Sequence, residues 1–220
     1  MTESEEEKVR RVLERAKEEY GFVPLVSEVM SDRPDLFLPY SEISSGLFFK
    51  PRHMDRRTAE LAAIAGYLHD LGNGISRLDH GIVAALLCRH ILQRLGMPAE
   101  EYAEVMCAIG NHEEEYGEAI SPLAAAVILG DKSDVHSSRV RVPDRDTEDI
   151  HDLVNLATTH SFLAVDADAG TITLKLEIDT EIIQVMQYFE IFLARMVMCR
   201  RAAEFLGCRF GIVSNGQRLL

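Results

Sequence analysis

Apolar residues recur at helical spacing along most of the chain, and this pattern predicts a largely α-helical protein. The first predicted helix spans residues 4–19, with Ser4 as its cap and three glutamates in the first turn, where the helix dipole favours negative charge. Proline, glycine and capping residues delimit the others. Those further helices are predicted at 24–32, 34–49, 55–72, 80–95, 98–109, 121–138 and 150–160, and residues 142–149 are predicted to form a polar loop.

The pattern changes near the C-terminus. Residues 171–178 alternate apolar and polar side chains with a period of two, which predicts a half-buried strand. A long helix is expected from Asp179 or Thr180 to Leu206, then a strand at 209–213 and a short one at 217–220. We therefore expect a mainly α fold of the α+β class, with a helical bundle and a small C-terminal antiparallel β-sheet.

The composition of the chain limits the classes of partner that the protein can bind. Hydrophobic residues make up 47% of the chain, which is enough for a core without disulfides. The net charge of −13 disfavours a nucleic-acid polymer as partner, but it allows a small phosphorylated molecule whose charge is met locally.

Location is predicted from what the sequence lacks. The four cysteines form no Cys-x-x-Cys pair and lie in apolar helical segments, which is typical of buried thiols in a reducing compartment. The chain contains no run of 18 apolar residues, and its N-terminus is acidic. We therefore expect no membrane association and a cytoplasmic location.

Candidate chemistry centres on an adjacent His69 and Asp70 at a predicted helix end, after the apolar run LAAIAGYL. His80, His112 and Asp131 follow at helix ends or beside small residues. Imidazole and carboxylate are ligands for divalent metals, and helix ends in a bundle can converge on one point. The set predicts a site for one or two ions and metal-assisted hydrolysis. If the His-Asp pair stood alone, the alternative to metal binding would be a histidine that caps the helix beside a solvated aspartate.

Four segments carry a family resemblance: AELAAIAGYLHDLGN, LDHG, IGNHEEE and LGDKSDVHSSRVR. They resemble the HD superfamily of metal-dependent phosphohydrolases, and the resemblance extends over about residues 59–220. It implies an HD-type domain that hydrolyses a phosphate ester with metal-activated water. The implied cofactor is a divalent ion, which could be Mn, Fe, Co, Ni, Zn or Mg.

The resemblance also implies roles for individual residues. His69, Asp70 and Asp131 would bind the metal, while His80 and His112 would complete a second metal site or contact the substrate phosphate. Phosphate contacts are also expected from Lys132, Arg139 and Arg141, and Asn73 would orient a ligand or the substrate. Asp70, Lys132 and Glu113 are the expected catalytic residues, with Glu113 as a candidate general base.

One ligand of the family pattern is displaced. The family places a further histidine on a helix well upstream of the His-Asp pair, whereas the upstream histidine here is His53. A helix from Asp55 to Asp70 would be roughly 22 Å long and would hold His53 away from the metal. The alternative function is therefore a non-catalytic metal- or nucleotide-binding regulatory or scaffold module.

The N-terminal part carries a second resemblance. Residues 14–65, especially YGFVPLVSEVMSDRPDLFLPYSEISSGLFF and MDRRTAELAAIA, resemble the carboxymuconolactone decarboxylase or alkylhydroperoxidase D family. That family uses a Cys-x-x-Cys pair that this chain lacks, so peroxidase activity is not expected. Helix packing and assembly into a homo-oligomer are what the resemblance still implies. We divide the chain into an N-terminal helical segment, 1–58, and an HD-type domain, 59–220.

Overall fold

A computed structural model describes residues 4–20, 56–140 and 150–220. The chain divides into two compact units, Met1–Glu60 and Leu61–Leu220. The helices predicted at 24–32 and 34–49 and the loop predicted at 142–149 lie outside the described residues, as do His53 and Arg141. The predicted division near residue 58 stays a prediction.

Helices dominate the described residues. The α-helices are α1 (Glu5–Tyr20), α2 (Arg56–Leu68), α3 (His80–Arg94), α4 (Ala99–Gly110), α5 (Pro122–Ser133), α6 (Ile150–Ala157) and α7 (Val185–Phe205), and short 3-10 turns span Leu71–Gly74 and Ser137–Arg139. The strands are β1 (Thr158–Asp166), β2 (Thr171–Ile178), β3 (Arg209–Ser214) and β4 (Gln217–Arg218). The predicted α+β class is confirmed. Among the described helices there is none with the length and apolarity needed to cross a membrane.

Helix starts follow the predicted capping chemistry. The Ser4 hydroxyl accepts a hydrogen bond from the Glu7 N–H, and the Glu7 carboxylate accepts one from the Ser4 N–H. The Ser121 hydroxyl likewise accepts from the Ala124 N–H at 3.1 Å, with proline at the first helical position. α5 nevertheless ends at Ser133, not at the predicted residue 138. The carbonyl of Ser133 instead accepts a hydrogen bond from the Ser161 hydroxyl on β1, so a tertiary contact satisfies the helix end.

The sheet is mixed, so the prediction of an antiparallel sheet is wrong for its central pair. The strand order is β1-β2-β3-β4, with β1–β2 and β3–β4 antiparallel but β2–β3 parallel. The reason is the helical connection between the two strands. α7 lies between β2 and β3 in the sequence and carries the chain back to the end of the sheet where β2 begins, so that β3 runs in the same direction.

Two boundaries near the sheet also differ from prediction. The helix predicted at 150–160 ends at Ala157, and Thr158 begins β1, a strand that the sequence pattern did not predict. α7 begins at Val185 and not at residue 179 or 180, because Gln184 and Gln187 form a reciprocal cap there. Residues 179–184 therefore do not form the first turns of this helix, because the cap starts α7 later and a turn follows β2.

Two apolar clusters lie within the unit Leu61–Leu220. The helical core comprises Leu61, Ala65, Ala84, Ala85, Cys88, Leu92, Val105, Ala108, Ile109, Leu123, Ala124 and Val127. The sheet core is built from β2, β3 and α7, with Leu174 and Tyr188 among its fully buried residues. α5 contributes to both, through Ala124 to the helical core and Ile128 to the sheet core. Its C-terminal turn, which carries Asp131, is therefore held from two sides.

Candidate metal centre

The His-Asp pair lies in the turn after α2. Leu68 ends that helix, and the 3-10 turn Leu71–Gly74 follows Asp70 directly. Gly72 is buried there, and a Cβ on it would collide with the backbone carbonyl of His80. Glycine thus allows the turn to pack against the first turn of α3. This packing brings Asp70 next to His80.

Backbone carbonyls fix the orientation of two histidine rings. Nδ1 of His69 donates to the Gly66 carbonyl at 2.7 Å, and Nδ1 of His112 donates to the Ile109 carbonyl at 2.6 Å. A ring held through Nδ1 presents Nε2 as its remaining nitrogen, the arrangement usual for histidine ligands. His112 is completely buried, and its ring meets the His69 ring edge-on with centroids 5.0 Å apart.

The five predicted ligands meet at one place. Asp70 Oδ1 lies 3.2 Å from His80 Nε2 and 3.8 Å from His112 Nε2, and Asp70 Oδ2 lies 3.7 Å from His69 Nε2. His69 Nε2 is also 3.6 Å from Asp131 Oδ1, and the Nε2 atoms of His80 and His112 are 3.1 Å apart. We name these five residues the His-Asp cluster.

The spacing fits a divalent ion. Donor atoms of His69, Asp70 and His112 all lie within 4.8 Å of one another. Zinc and similar ions bind nitrogen and oxygen at about 2.0–2.2 Å, so one ion between these atoms requires only small shifts. Mixed imidazole and carboxylate donors suit Mn, Fe, Co, Ni or Zn.

Electrostatics keep the carboxylates ionised. The close contact with His112 lowers the pKa of Asp70, aided by the nearby His69 and opposed by burial. Burial favours the neutral acid of Asp131, but its contacts with His69 and with the Lys132 ammonium outweigh burial and hold the pKa of Asp131 far below the usual range. Burial also acts to lower the pKa of His69, yet the facing carboxylate of Asp131 and the hydrogen bond to the Gly66 carbonyl raise this pKa overall. A metal entering the cluster would therefore displace a proton.

Glu113 is a buried partner of His80. Its Oε1 accepts hydrogen bonds from the Gly81 N–H at 2.5 Å and the Tyr116 hydroxyl at 2.6 Å, and its Oε2 lies 3.1 Å from His80 Nδ1. A Cβ on Gly81 would come within 2.8 Å of Glu113 Oε1, so glycine makes room for this carboxylate. With 3% exposure and protein donors at both oxygens, Glu113 is placed to orient His80.

Lys132 also turns towards protein carboxylates. Only 4% of the residue is exposed, and its Nζ lies 2.6 Å from Asp131 Oδ2 and 3.3 Å from Glu114 Oε2. Glu114 Oε1 in turn accepts from Arg195 Nε at 3.0 Å. The sequence pattern predicts neither Glu114 as a partner of Lys132 nor any role for Arg195. No local signal could have done so, because Arg195 comes from α7, far along the chain.

The remaining predicted substrate contacts are less defined. Asn73 is exposed in the turn after the His-Asp pair, where its backbone N–H donates to the Asp70 carbonyl at 3.0 Å. Arg139 ends the second 3-10 turn, and its side chain is outside the described part of the structure, as is the whole of Arg141. Roles for these three residues in substrate binding stay predictions.

The His-Asp cluster lies in a segment that matches a known protein family. The family model for the HD domain matches residues 42–135. This match contains the whole His-Asp cluster and supports a relationship to the HD-domain superfamily, whose members are generally metal-dependent hydrolases. No curated protein and no solved structure matches the chain significantly. The resemblance of residues 14–65 to the alkylhydroperoxidase D family stays a prediction.

Proposed function

We propose that this chain is a divalent-metal-dependent phosphohydrolase that acts on a small phosphate ester such as a nucleotide. The observation that carries the proposal is the convergence of three histidine Nε2 atoms and two aspartate carboxylates from four separate segments. The convergence falls within the segment that matches the HD domain.

His69, Asp70, His112 and Asp131 would hold the ion, and His80 would complete a second site or contact the phosphate. A bound divalent ion supplies Lewis acidity towards a phosphoryl oxygen and towards the attacking water. Asp70 has a half-exposed side chain, at 51%, so the cluster is open to solvent on its side. A small ester can therefore reach the ion without passing through the apolar cores.

The other predicted catalytic residues act through the ligands in this proposal. Glu113 orients His80, and Lys132 holds one oxygen of Asp131. The lowered pKa of Asp70 keeps this carboxylate ionised at neutral pH, which suits a metal ligand better than a proton donor.

A second candidate is a metal-binding module without turnover. Among the described residues that precede His69, 4–20 and 56–68, there is no histidine that could add an upstream ligand. A site with fewer protein ligands binds metal more weakly and leaves more positions to water. The same experiment separates the two candidates.

The first measurement is the metal content of the purified protein by inductively coupled plasma mass spectrometry. We expect about one or two equivalents of a transition metal in the wild type and its loss in Asp70→Ala. Asp168→Ala is the matched control, because Asp168 is an exposed aspartate in the turn between β1 and β2. The loaded protein is then screened against phosphomonoesters, nucleotides and cyclic nucleotides.

Each outcome decides between the candidates. Hydrolysis by the loaded wild type and its loss in Asp70→Ala would support the hydrolase. Tight metal binding with no hydrolysis of any ester would contradict it and favour the binding module. Equal metal content in the wild type and Asp70→Ala would place the metal elsewhere and contradict both.

A further inference from the structure

Charges alternate along a chain of side chains that leads away from the His-Asp cluster. Asp131 Oδ2 contacts Lys132 Nζ at 2.6 Å, Lys132 Nζ contacts Glu114 Oε2 at 3.3 Å, and Glu114 Oε1 accepts from Arg195 Nε at 3.0 Å. We name these four residues the charge chain. Its two positive and two negative groups balance, which is required where one of them is as buried as Lys132.

Lys132 determines how Asp131 faces the cluster. Since Nζ is bound to Oδ2, the other oxygen, Oδ1, is directed to His69 Nε2 at 3.6 Å. Asp131 is thereby presented to an ion through one oxygen. If Lys132 moved, the carboxylate could rotate and that geometry would be lost.

Glu114 competes with Asp131 for Lys132, and Arg195 weakens the competitor. A carboxylate that already accepts a charge-assisted bond from a guanidinium attracts the ammonium less. The distances agree with this order, because Lys132 lies closer to Asp131, at 2.6 Å, than to Glu114, at 3.3 Å.

Arg195 is itself fixed by the sheet core. Its guanidinium carbon lies 4.7 Å from the centroid of the Phe192 ring, and Phe192 is only 3% exposed in that core. α7 packs against α5 along the side that carries the buried Cys199. The position of Arg195 therefore depends on residues beyond 135, outside the segment that matches the HD domain.

We propose that Arg195, acting through Glu114 and Lys132, is a positioning residue of the metal centre. The proposal rests on the proposed function to the extent that the His-Asp cluster binds a divalent ion. It adds a requirement: the C-terminal helix sets the geometry of a ligand on α5. Hydrolysis of a phosphate ester is not needed for it to hold.

Titration with Co²⁺ tests the proposal, because the visible absorption of this ion reports on its ligand geometry. We expect Arg195→Gln to weaken Co²⁺ binding by about 10-fold and to change the absorption spectrum, in line with other residues that orient metal ligands. Glu114→Gln removes the competitor for Lys132 and should leave both the affinity and the spectrum close to those of the wild type. Arg195→Lys should recover most of the affinity and the wild-type spectrum, since it keeps the charge beside Glu114. The matched control is Arg200→Gln on the same helix, where Arg200 and Glu204 form an exposed pair at 3.9 Å.

A double variant tests whether the residues act in series. If Arg195 acts only by weakening Glu114 as a competitor, adding Glu114→Gln to Arg195→Gln should restore Co²⁺ binding close to the wild-type affinity. If Arg195 acted independently of Glu114, the double variant would instead keep the roughly 10-fold loss seen in Arg195→Gln. Circular dichroism melts verify that each variant is folded at the titration temperature, and Arg195→Lys provides a charge-conserving variant if Arg195→Gln unfolds.

The outcomes separate this proposal from the proposed function. Unchanged affinity and spectrum in folded Arg195→Gln, or independent effects in the double variant, would overturn the positioning role while leaving hydrolysis intact. Altered Co²⁺ binding in Arg195→Gln, restored in the double variant, of a protein that hydrolyses no ester would support the positioning role and overturn the hydrolase. A wild type that binds no Co²⁺ would overturn both.

Discussion

The helical core and the sheet core are built from side chains of different size. Alanines at 84, 108 and 124 are completely buried in the helical core, whereas Tyr188, Leu174 and Phe192 fill the sheet core. Small residues let helices approach closely, and in this half the ends of α2, α3, α4 and α5 supply the His-Asp cluster. Large residues bury more apolar area per side chain. The comparison indicates that one half organises the site and the other supplies more of the stability.

The two cores also differ in the polar groups they accommodate. His112 and Glu113 are buried in the helical half, where each has a specific partner. Asp79, just before His80, adopts a left-handed backbone with φ of 55°, a conformation that non-glycine residues adopt at some cost. The ligand geometry in the helical half therefore requires buried polar groups and an unfavourable backbone conformation. The rest of the fold must offset their cost.

The largest expected effect is a loss of stability in the sheet core. Leu174→Ala removes a fully buried side chain from β2 and should lower the free energy of unfolding by about 2–5 kcal/mol, through lost burial and a cavity. Leu193→Ala, at a 58% exposed position on α7, is the control and should change it by less than about 0.5 kcal/mol. Urea unfolding measures both. Equal effects would contradict the assignment of stability to the sheet core.

A smaller change in stability, with a direct effect on the site, is expected from Gly81→Ala. The added methyl would meet Glu113 Oε1 at 2.8 Å and His112 Cε1 at 3.0 Å, so it should cost about 1–3 kcal/mol of stability. It should also weaken Co²⁺ binding by about 10-fold or more through displaced His80 and His112. Both quantities are measured by urea unfolding and Co²⁺ titration.

Gly130→Ala is the control for that variant. A Cβ on Gly130 meets nothing within 4 Å, and the residue lies in α5. Alanine there should raise the free energy of unfolding by roughly 0.5–1 kcal/mol and leave Co²⁺ affinity unchanged. If Gly81→Ala behaved like Gly130→Ala, the close packing of α3 against Glu113 would be incorrect.

The smallest expected effect is a difference in thiol labelling between two buried cysteines, one in each core. Burial raises the pKa of Cys88 in the helical core to about 11 and that of Cys199 in the sheet core to about 12, while Cys107 is exposed. At pH 8 a thiol reagent should therefore label Cys107 quickly and the two buried thiols only after the protein opens. In dilute urea we expect Cys88 to react before Cys199, because small side chains hold the helical core together less firmly. Mass spectrometry of labelled peptides gives the order, and the reverse order would contradict the comparison.

Much of the candidate site could be predicted because its residues occur at predicted helix ends, in an order that resembles the HD superfamily. His69, Asp70, His80, His112 and Asp131 were predicted from that pattern, and the structure brings all five together. Lys132 was predicted to contact phosphate, yet it is buried between two carboxylates. A lysine next to a ligand gives no sign in the sequence of whether it faces solvent or protein, since that depends on what packs over it.

Local features could be predicted from the amino-acid sequence alone: the caps at Ser4 and Ser121, the alternation in β2, and the order of the candidate ligands. These depend on neighbours within a few residues, where hydrogen bonding and side-chain periodicity are set by the chain itself. Tertiary packing set the parallel pairing of β2 with β3, the unpredicted strand β1, and the link from Arg195 through Glu114 and Lys132 to Asp131. Each of these features joins segments that are distant in sequence. Such contacts depend on packing and charge pairing in the folded protein, so no local sequence pattern predicts them.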